Sequence, residues 1–415
     1  MKKLLLFTPI LVLFLLTACT GNISSPIPTS DVDNVATVVA ATLSAISTTA
    51  SPTTNPPPVL STQPKNNTSS STSTPIILLL TNGKGSVGDI YTWNTASQSL
   101  KQLTSWGYNF APHISPDGKW LAYRSVSQEA VSAITQGQAM NAESLANIWL
   151  LDPYTEEALQ IAKQPQNATY KSGNLISRQE PVWSPDGTSV AWVERDTHDE
   201  RVAIYTLSSK STITFPLNLP PGCCEGASHT LYFGRSGIAI TNQEGTPTTT
   251  SEVIYVFNTP GQQLAKIALG GNFGMQYGWI TDGNNHEYFG GDMNGVLTVA
   301  DPLGNPQLVA LQGYPEMYNP NAPEGLTAYP VKIPSQWAIT RHGQKLAEIN
   351  DIWDASDISI APDGQGIVYQ LNAEGANTPG GNVYAYLANG QTIPITPPSR
   401  VLAVTWGATA WRIHN

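Results

Sequence analysis

The feature that most constrains the fold is a repeated Pro-Asp-Gly turn between two short apolar segments. It occurs within Ile114–Tyr123, Trp183–Trp192 and Ile360–Tyr369, each time with an alternating strand pattern after the glycine. Proline fixes φ at the first turn position, aspartate accepts hydrogen bonds from nearby backbone, and glycine adopts positive φ. The sequence therefore predicts a repeated antiparallel β unit. A bound cation is the alternative role for these aspartates, but bonding within their own turns explains them.

Weaker copies of the unit fill the rest of the chain. The turns are marked by Gly118, Gly187, Gly237, Gly283, Gly325, Gly364 and Gly407. After a longer first step, their spacing of about 40 to 50 residues, with four short strands per period, is typical of a β-propeller. A polar insertion at 127–146, in which we expect a short helix, explains the longer step. The predicted structural turn residues are Asp117, Gly118, Asp186, Gly187, Asp282, Gly283, Asp363 and Gly364.

The two ends of this region are predicted to share one blade. Ile76–Leu80 begins a blade that has no first strand, and Leu402–Trp406 supplies a first strand with little after it. Their pairing would close the ring and leave no open sheet edge. Ala410–Ile413 competes with Ile76–Leu80 for the place of second strand. Residues 75–415 are thus predicted to form an all-β propeller of about seven four-stranded blades, with six or eight as alternatives.

The Ser-Pro-Asp-Gly turn, followed by an alternating strand and then an Ile-Tyr strand such as Ile204-Tyr205, resembles the TolB-like (WD40-like) propeller repeat. Three units match well and the others depart from the motif. The resemblance implies the propeller fold, an extracytoplasmic location, and binding of proteins or peptides at the channel mouth and the loops around it. It does not specify a ligand.

The N-terminus has the pattern of an export signal. Lys2 and Lys3 precede an apolar run, Leu4–Leu16, that is too short to span a bilayer. The run ends in Leu-Thr-Ala-Cys19, which resembles the lipobox of bacterial lipoproteins. That resemblance implies a signal peptide at 1–18, a lipid on Cys19, and anchoring in the cell envelope on the extracytoplasmic face of a bacterial membrane. The alternative is a secretory signal in which Cys19 is incidental.

A Ser-, Thr- and Pro-rich tether is predicted for residues 19–74, because such a composition cannot bury enough apolar surface to fold. Within it, Val35, Val38, Val39, Leu43 and Ile46 fall on one face of a helix near 31–46. A helix this short is marginal alone in water, so we expect it to be transient.

Composition argues against several functions. Charged residues form 12% of the chain and the net charge is −10, with no basic cluster, which excludes nucleic acid as the expected partner. There is no Gly-x-Ser-x-Gly or His-Glu-x-x-His motif. Gly83–Gly88 matches a dinucleotide fingerprint, but a strand follows it where a helix is needed, so it is interpreted as a loop. His198-Asp-Glu200 is interpreted as a solvated loop. No catalytic residue, cofactor site or metal site is predicted.

Two adjacent cysteines, Cys223 and Cys224, remain once Cys19 is lipidated. Outside the cytoplasm a disulfide is expected, although adjacent residues are closer together than an ordinary disulfide requires. A vicinal disulfide and two free thiols are both open at this point.

Three functions follow as hypotheses. The first is a non-catalytic, lipid-anchored scaffold or sensor that binds a protein, peptide or glycan. The second is a hydrolase or lyase with its site in the central channel, where a site leaves no local motif. The third is a purely structural envelope protein. Carboxylates and histidines that converge at a channel mouth would favour the enzyme.

Overall fold

The computed structural model describes residues 74–83, 85–136, 145–166, 168–169, 172–197, 199–220, 229–246, 249–269, 273–293, 295–332, 335–352, 354–371 and 381–414. The chain divides into two compact units, Met1–Asn66 and Asn67–Asn415, and all of the described residues belong to the second. The predicted signal peptide, the helix near 31–46 and all three cysteines lie outside the described residues.

β-Strands dominate the described part of the chain, which confirms the all-β prediction. The strands up to residue 216 are β1 (Ile76–Thr81), β2 (Gly88–Asn94), β3 (Ser99–Gln102), β4 (Asn109–Ile114), β5 (Leu121–Val126), β6 (Ala146–Leu151), β7 (Ala158–Ala162), β8 (Ser177–Arg178), β9 (Val182–Trp183), β10 (Ser189–Arg195), β11 (Glu200–Thr206) and β12 (Ser211–Pro216). The next strands are β13 (Leu231–Phe233), β14 (Ile238–Thr246), β15 (Thr249–Phe257), β16 (Gln263–Ala268), β17 (Phe273–Thr281), β18 (Glu287–Met293), β19 (Val296–Ala300) and β20 (Val309–Ala310).

The remaining strands are β21 (Tyr314–Tyr318), β22 (Thr327–Lys332), β23 (Gln336–Arg341), β24 (Gln344–Asn350), β25 (Ile358–Ile360), β26 (Gly366–Gln370), β27 (Val383–Leu387), β28 (Thr392–Ile395), β29 (Val401–Thr405) and β30 (Ala410–His414). Helix α1 (Gln128–Thr135) lies in the polar insertion, as predicted, and the Ser127 hydroxyl accepts a hydrogen bond from the Ala130 backbone N–H. A 3-10 turn covers Ala355–Asp357.

The strands form five hydrogen-bonded sheets, none of them closed on itself. Within these sheets, consecutive strands pair antiparallel in groups. Group 1 is β1–β3 with β29, group 2 is β4–β7, group 3 is β8–β12, group 4 is β13–β16, group 5 is β17–β20, group 6 is β21–β24 and group 7 is β25–β28. Groups 1 and 2 belong to one sheet, in which the single pair Gly88 and Asn109 joins them. Because this pairing is so short, they are described as two groups.

The predicted pairing of the two ends is confirmed. Strand β29 runs antiparallel to β1, with Leu78 opposite Val404, so a strand from the end of the chain joins strands from the start of the described region. Strand β30 does not compete for that place. It pairs instead with β17 and β21, the first strands of groups 5 and 6, because β1 is already occupied on both edges by β2 and β29.

Apolar cores lie between successive groups. Five clusters of buried side chains join groups 1 and 2, groups 2 and 3, groups 3 and 4, groups 4 and 5, and groups 7 and 1. A sixth cluster joins groups 5, 6 and 7 around Trp337 and Trp411. Burial of apolar area on both faces of each group, at about 25 cal/mol per Å², is the main stabilising contribution.

Candidate functional site

The repeat aspartates bond within their own turns. The Asp117 carboxylate accepts from the Ser115 hydroxyl at 2.7 Å, and Asp186 accepts from the Ser184 hydroxyl at 2.6 Å. Asp363 accepts from the Gln365 backbone N–H at 2.9 Å. A tight turn leaves some of its donor groups without backbone acceptors, and these carboxylates accept hydrogen bonds in their place. The aspartates therefore stabilise their own turns.

The glycines of three turns adopt positive φ, whereas the fourth turn differs. Gly118, Gly187 and Gly364 have φ of 73°, 70° and 67°. In the group 5 turn, Asn285 takes the left-handed conformation in place of Gly283, with φ of 60°. Asp282 there accepts hydrogen bonds from the backbone N–H groups of Asn284 and His286. Asparagine tolerates this conformation, so the turn extends by two residues.

Gly364 allows a test of how tightly these turns pack. A Cβ added there would lie 2.7 Å from the Cα of Gly325, whereas one added at Gly83, which also has positive φ, meets nothing within 4 Å. We expect Gly364→Ala to reduce the free energy of unfolding by about 2–4 kcal/mol, from backbone strain and overpacking, and Gly83→Ala by about 1 kcal/mol. Urea denaturation measures both losses. Equal losses would show that the turn at Gly364 does not pack against Gly325.

The turns that join first to second strands come together on one side of the molecule, called here the turn face. The Asn321 side-chain amide, in group 6, donates to the Pro116 carbonyl of group 2. A Cβ on Gly118 would meet Pro362 of group 7 at 3.0 Å, and one on Gly187 would meet Pro116 at 3.3 Å. Groups distant in sequence therefore contact one another through these turns.

A cavity of about 260 Å³ lies on the turn face beside strand β30. Turns of groups 4, 5 and 6 and the end of β30 line it with Arg235, Thr281, Asp282, Gly283, Asn285, Tyr318, Pro320, Pro323, Arg412 and Ile413. Thr281 and Tyr318 are buried, whereas Arg235 and Asn285 are exposed at its rim. The lining thus carries two arginines, two hydroxyls, one amide and one carboxylate.

Arg412 in this cavity is held by a buried carboxylate. Glu316 is 1% exposed, and one of its oxygens accepts from Nε and lies 2.8 Å from Nη2 of Arg412. Its other oxygen accepts from the hydroxyls of Thr327 at 2.7 Å and Thr340 at 3.2 Å. The guanidinium also donates to the Pro323 carbonyl and stacks over the Tyr318 ring, with its carbon 4.9 Å from the ring centre.

A second polar cluster lies at the other ends of the strands of groups 2–4. Arg178, 3% exposed, donates to Glu194 at 2.9 Å and to the carbonyls of Ala146 and Lys163. Arg201 donates to the other Glu194 oxygen at 2.8 Å and to Asp196. Burial alone would raise the pKa of Glu194, but the charge of Arg178 and hydrogen bonds from Trp192 and Arg201 lower it. We call this set the arginine network.

Two histidine–carboxylate pairs adjoin the network. His113 pairs with Glu180 between the first strands of groups 2 and 3, and about half of each side chain is accessible. Burial raises the pKa of Glu180, but His113 and the charge of Arg124 outweigh it and lower that pKa to about 2. The Arg124 guanidinium stacks on Phe110 and donates to the Arg178 carbonyl, so this pair connects with the network.

The buried imidazole of His229 contacts a Glu200 oxygen at 3.1 Å and the Thr241 carbonyl at 2.7 Å. Burial lowers the pKa of His229, but its interactions with Glu200 outweigh that effect and raise it. Glu200 also accepts from Arg195 at 3.0 Å, which ties this pair to the same surface.

Chemically, these groups form rigid ion pairs. Across the described ranges, no set of three or more His, Cys, Asp and Glu side chains has the geometry to hold a metal ion. Within the same ranges, no helix is long and apolar enough to cross a membrane. The predicted lipidation site Cys19 and the pair Cys223 and Cys224 fall outside them.

Sequence patterns did not identify Glu316, Arg412, Arg235 or the arginine network. Arg412 and Glu316 are 96 positions apart, and they meet because β30 pairs with β21. The one available signal was charge scarcity: in a chain with 12% charged residues, Glu194, Arg195, Asp196, Glu200 and Arg201 crowd into a few positions.

Comparison with known proteins gives no family. No family model matches the chain, and no curated protein matches it. Solved structures that resemble it include TolB from Acinetobacter baumannii, at 15% identity over 82% of this chain and 67% of that chain, with a TM-score of 0.39. Another is the β-propeller domain of the Trilobed protease from Pyrococcus furiosus, at 13% identity, 74% and 86% coverage, and a TM-score of 0.41.

A third structure is an oligogalacturonate lyase in complex with manganese, at 13% identity, 75% and 83% coverage, and a TM-score of 0.44. The neighbours thus include TolB and other propeller proteins, among them enzymes. Likeness at this level carries no function to the present chain.

Proposed function

We propose that this chain is a non-catalytic, lipid-anchored β-propeller of the bacterial cell envelope that binds a protein, peptide or glycan partner as a scaffold or sensor. A protein partner is the best-supported of the three. The strand groups 1–7 would be seven blades of a closed ring. Support for the ring comes from the pairing of β29 with β1 and from the apolar core between groups 7 and 1.

The observation that carries the binding proposal is a preorganised surface around the arginine network. Trp106 is 40% exposed, its ring centre lies 5.4 Å from that of Tyr108, and its indole N–H donates to the Val126 carbonyl. Two residues before Val126 on the same strand, the Arg124 guanidinium stacks on Phe110 and donates to the Arg178 carbonyl. Fixed aromatic and arginine side chains contribute most of the energy at protein interfaces, since little entropy is lost when they bind.

The His113–Glu180 pair is compatible with binding and with catalysis. Burial raises the pKa of Glu180, but its interactions with His113 and Arg124 outweigh burial and lower that pKa to about 2, so this carboxylate is ionised at neutral pH and does not serve as a general acid. His113 and Glu180 nevertheless form an accessible pair, which keeps a hydrolase or lyase in the channel as the second candidate.

Cross-linking in intact cells tests partner binding. The full chain, carrying an affinity tag within the predicted tether, is cross-linked and purified, and the partner's dissociation constant is then measured with Trp106→Ala and Arg195→Glu. We expect each change to weaken binding at least about tenfold, as interface hot spots do. Lys345→Glu is the matched control, because Lys345 is an equally exposed cation whose ion pair lies on β24, outside the network.

Partner binding that is unchanged by both substitutions would contradict the assignment of this surface. Turnover of a peptide or polysaccharide by the wild-type chain, lost in Glu180→Gln, would establish the enzyme instead. Selective binding of a glycan, lost in Trp106→Ala, would retain the binding module but change its partner.

The anchor has its own test. We expect Cys19→Ser to abolish incorporation of an alkyne-tagged fatty acid and to move the protein from the membrane fraction to the soluble or unprocessed pool, since serine lacks the thiol that forms the thioether. Stable anchoring needs more than one acyl chain, and Cys19→Ser removes the site that carries them. The shift should therefore be nearly complete. Cys223→Ser is the control, and labelling that persists in Cys19→Ser would rule out the lipid anchor.

A further inference from the structure

The cavity beside β30 has the chemistry of an anion site and is not part of the proposed partner surface. It lies on the turn face, whereas the arginine network lies at the opposite strand ends. The side chains that a small ligand in this cavity would contact are those of Arg235, Arg412, Tyr318, Asn285 and Asp282.

The floor of the cavity is fixed before any ligand arrives. Glu316 and the Pro323 carbonyl hold the Arg412 guanidinium, which remains 29% accessible. Arginine presents five donors, and these contacts use Nε, one hydrogen of Nη1 and one of Nη2. One hydrogen on each of Nη1 and Nη2 is therefore left for a further acceptor. Because the charge of Glu316 compensates Arg412, the floor binds hydrogen-bond acceptors without a large unbalanced charge.

Tyr318 adds a donor that is only weakly used. The Thr281 hydroxyl donates to the Trp411 carbonyl at 3.2 Å, and it lies 3.5 Å from the phenol oxygen of Tyr318, at the limit of a hydrogen bond. A ligand oxygen at normal distance would therefore be a better acceptor for that phenol. Both residues are at least nine-tenths buried, so the packing around them holds their side chains in place.

The rim supplies one further cation and one acceptor. Arg235 lines the cavity with an exposed side chain, and its backbone N–H is fixed by Glu287 at 3.0 Å. Asp282 uses one oxygen, Oδ1, for the backbone of its turn. Around the cavity, Arg235 and Arg412 are positive and Asp282 and the buried Glu316 are negative, so an anionic ligand would be held by directed hydrogen bonds rather than by an excess of positive charge.

We propose that this cavity binds the carboxylate of a small organic acid or of a peptide C-terminus. Arginine forks match the two oxygens of a carboxylate, and the phenol of Tyr318 is a third donor. The volume of about 260 Å³ is below the range of about 300–1,000 Å³ for drug-sized ligands, which limits the occupant to a small molecule or one terminal residue.

Calorimetric titration of the full chain tests the proposal with defined probes. The probes are L-alanine, trialanine, trialanine amide and inorganic phosphate. We expect a carboxylate probe to bind and trialanine amide, which lacks the carboxylate, to bind at least about tenfold more weakly, as loss of a charge-assisted hydrogen bond implies. Tighter binding of trialanine supports a peptide source, and tighter binding of L-alanine supports a free metabolite.

Variants assign the binding to this cavity. Arg235→Ala and Tyr318→Phe should each weaken the carboxylate probe, the first by about tenfold or more. Arg235 is exposed, so its removal leaves the fold intact, whereas the Arg412 ion pair is structural. Lys345→Ala is the control. Phosphate binding tighter than either carboxylate, equal binding of trialanine and its amide, unchanged affinity in Arg235→Ala, or no binding of any probe would overturn the proposal.

Discussion

Truncation of the chain after Arg400 is expected to abolish folding. It removes β29 and β30, and it exposes the edge of β1, whose residues Ile76–Leu80 are all at most 2% accessible. An apolar strand with an unpaired edge is a template for aggregation. We expect the truncated chain to be recovered in inclusion bodies, or to show no cooperative unfolding transition by circular dichroism.

The matched control deletes residues from the other end. Residues 20–66 belong to the predicted tether and contribute no strand to the described sheets, so their deletion should leave the unfolding midpoint of the strand-rich unit unchanged. A truncation at Arg400 that remains soluble and unfolds cooperatively at the wild-type midpoint would show that β29 does not complete group 1.

Glu316→Ala has the second largest expected effect. The side chain is 1% exposed and pairs with Arg412, Thr327 and Thr340, so its removal leaves a guanidinium and two buried hydroxyls without their acceptor. Breaking a buried ion pair from one side typically costs about 3–5 kcal/mol. We expect the free energy of unfolding in urea to fall by an amount near the lower end of that range, because Arg412 is 29% accessible and keeps part of its hydration.

Glu348→Ala provides the comparison. Glu348 pairs with Lys345, and both side chains are more than a third exposed. Surface ion pairs of this kind contribute about 0–1 kcal/mol, so the loss should be within that range. Equal losses for Glu316→Ala and Glu348→Ala would mean that the Glu316 carboxylate is solvated and that β30 does not sit against β21.

Local chemistry accounts for what the sequence could predict. The Pro-Asp-Gly turns are encoded within five residues, and their aspartates bond to neighbours two positions away. The insertion helix α1 likewise begins at its own cap, Ser127. The pairing of β1 with β29 was predictable because the repeat leaves an incomplete unit at each end of the region, and pairing the two ends completes one unit.

The position of β30 could not be predicted, because its partners are set by which strand edges remain open after the other strands have paired. Gly283 shows the same limit on a smaller scale: its Asp-Gly motif predicted a tight turn, but the asparagines that follow shift the left-handed position to Asn285. The cavity at Arg412 is built from such non-local contacts and leaves little trace in a single sequence. The arginine network is more local, and its only trace is the concentration of charge between Glu194 and Arg201.

The most direct test of the proposed closed ring is a cysteine cross-link between the two ends of the described region. Leu78 and Val404 are opposite each other in the antiparallel pair of β1 and β29, where Cβ atoms are about 4.5–5.5 Å apart, close to disulfide range. Leu78→Cys and Val404→Cys are combined in a chain whose Cys223 and Cys224 are serine. We predict an intramolecular disulfide by mass spectrometry after mild oxidation, and none when Leu78→Cys is combined with Ile413→Cys. A disulfide in the second pair but not the first would place β30 beside β1 and contradict the account.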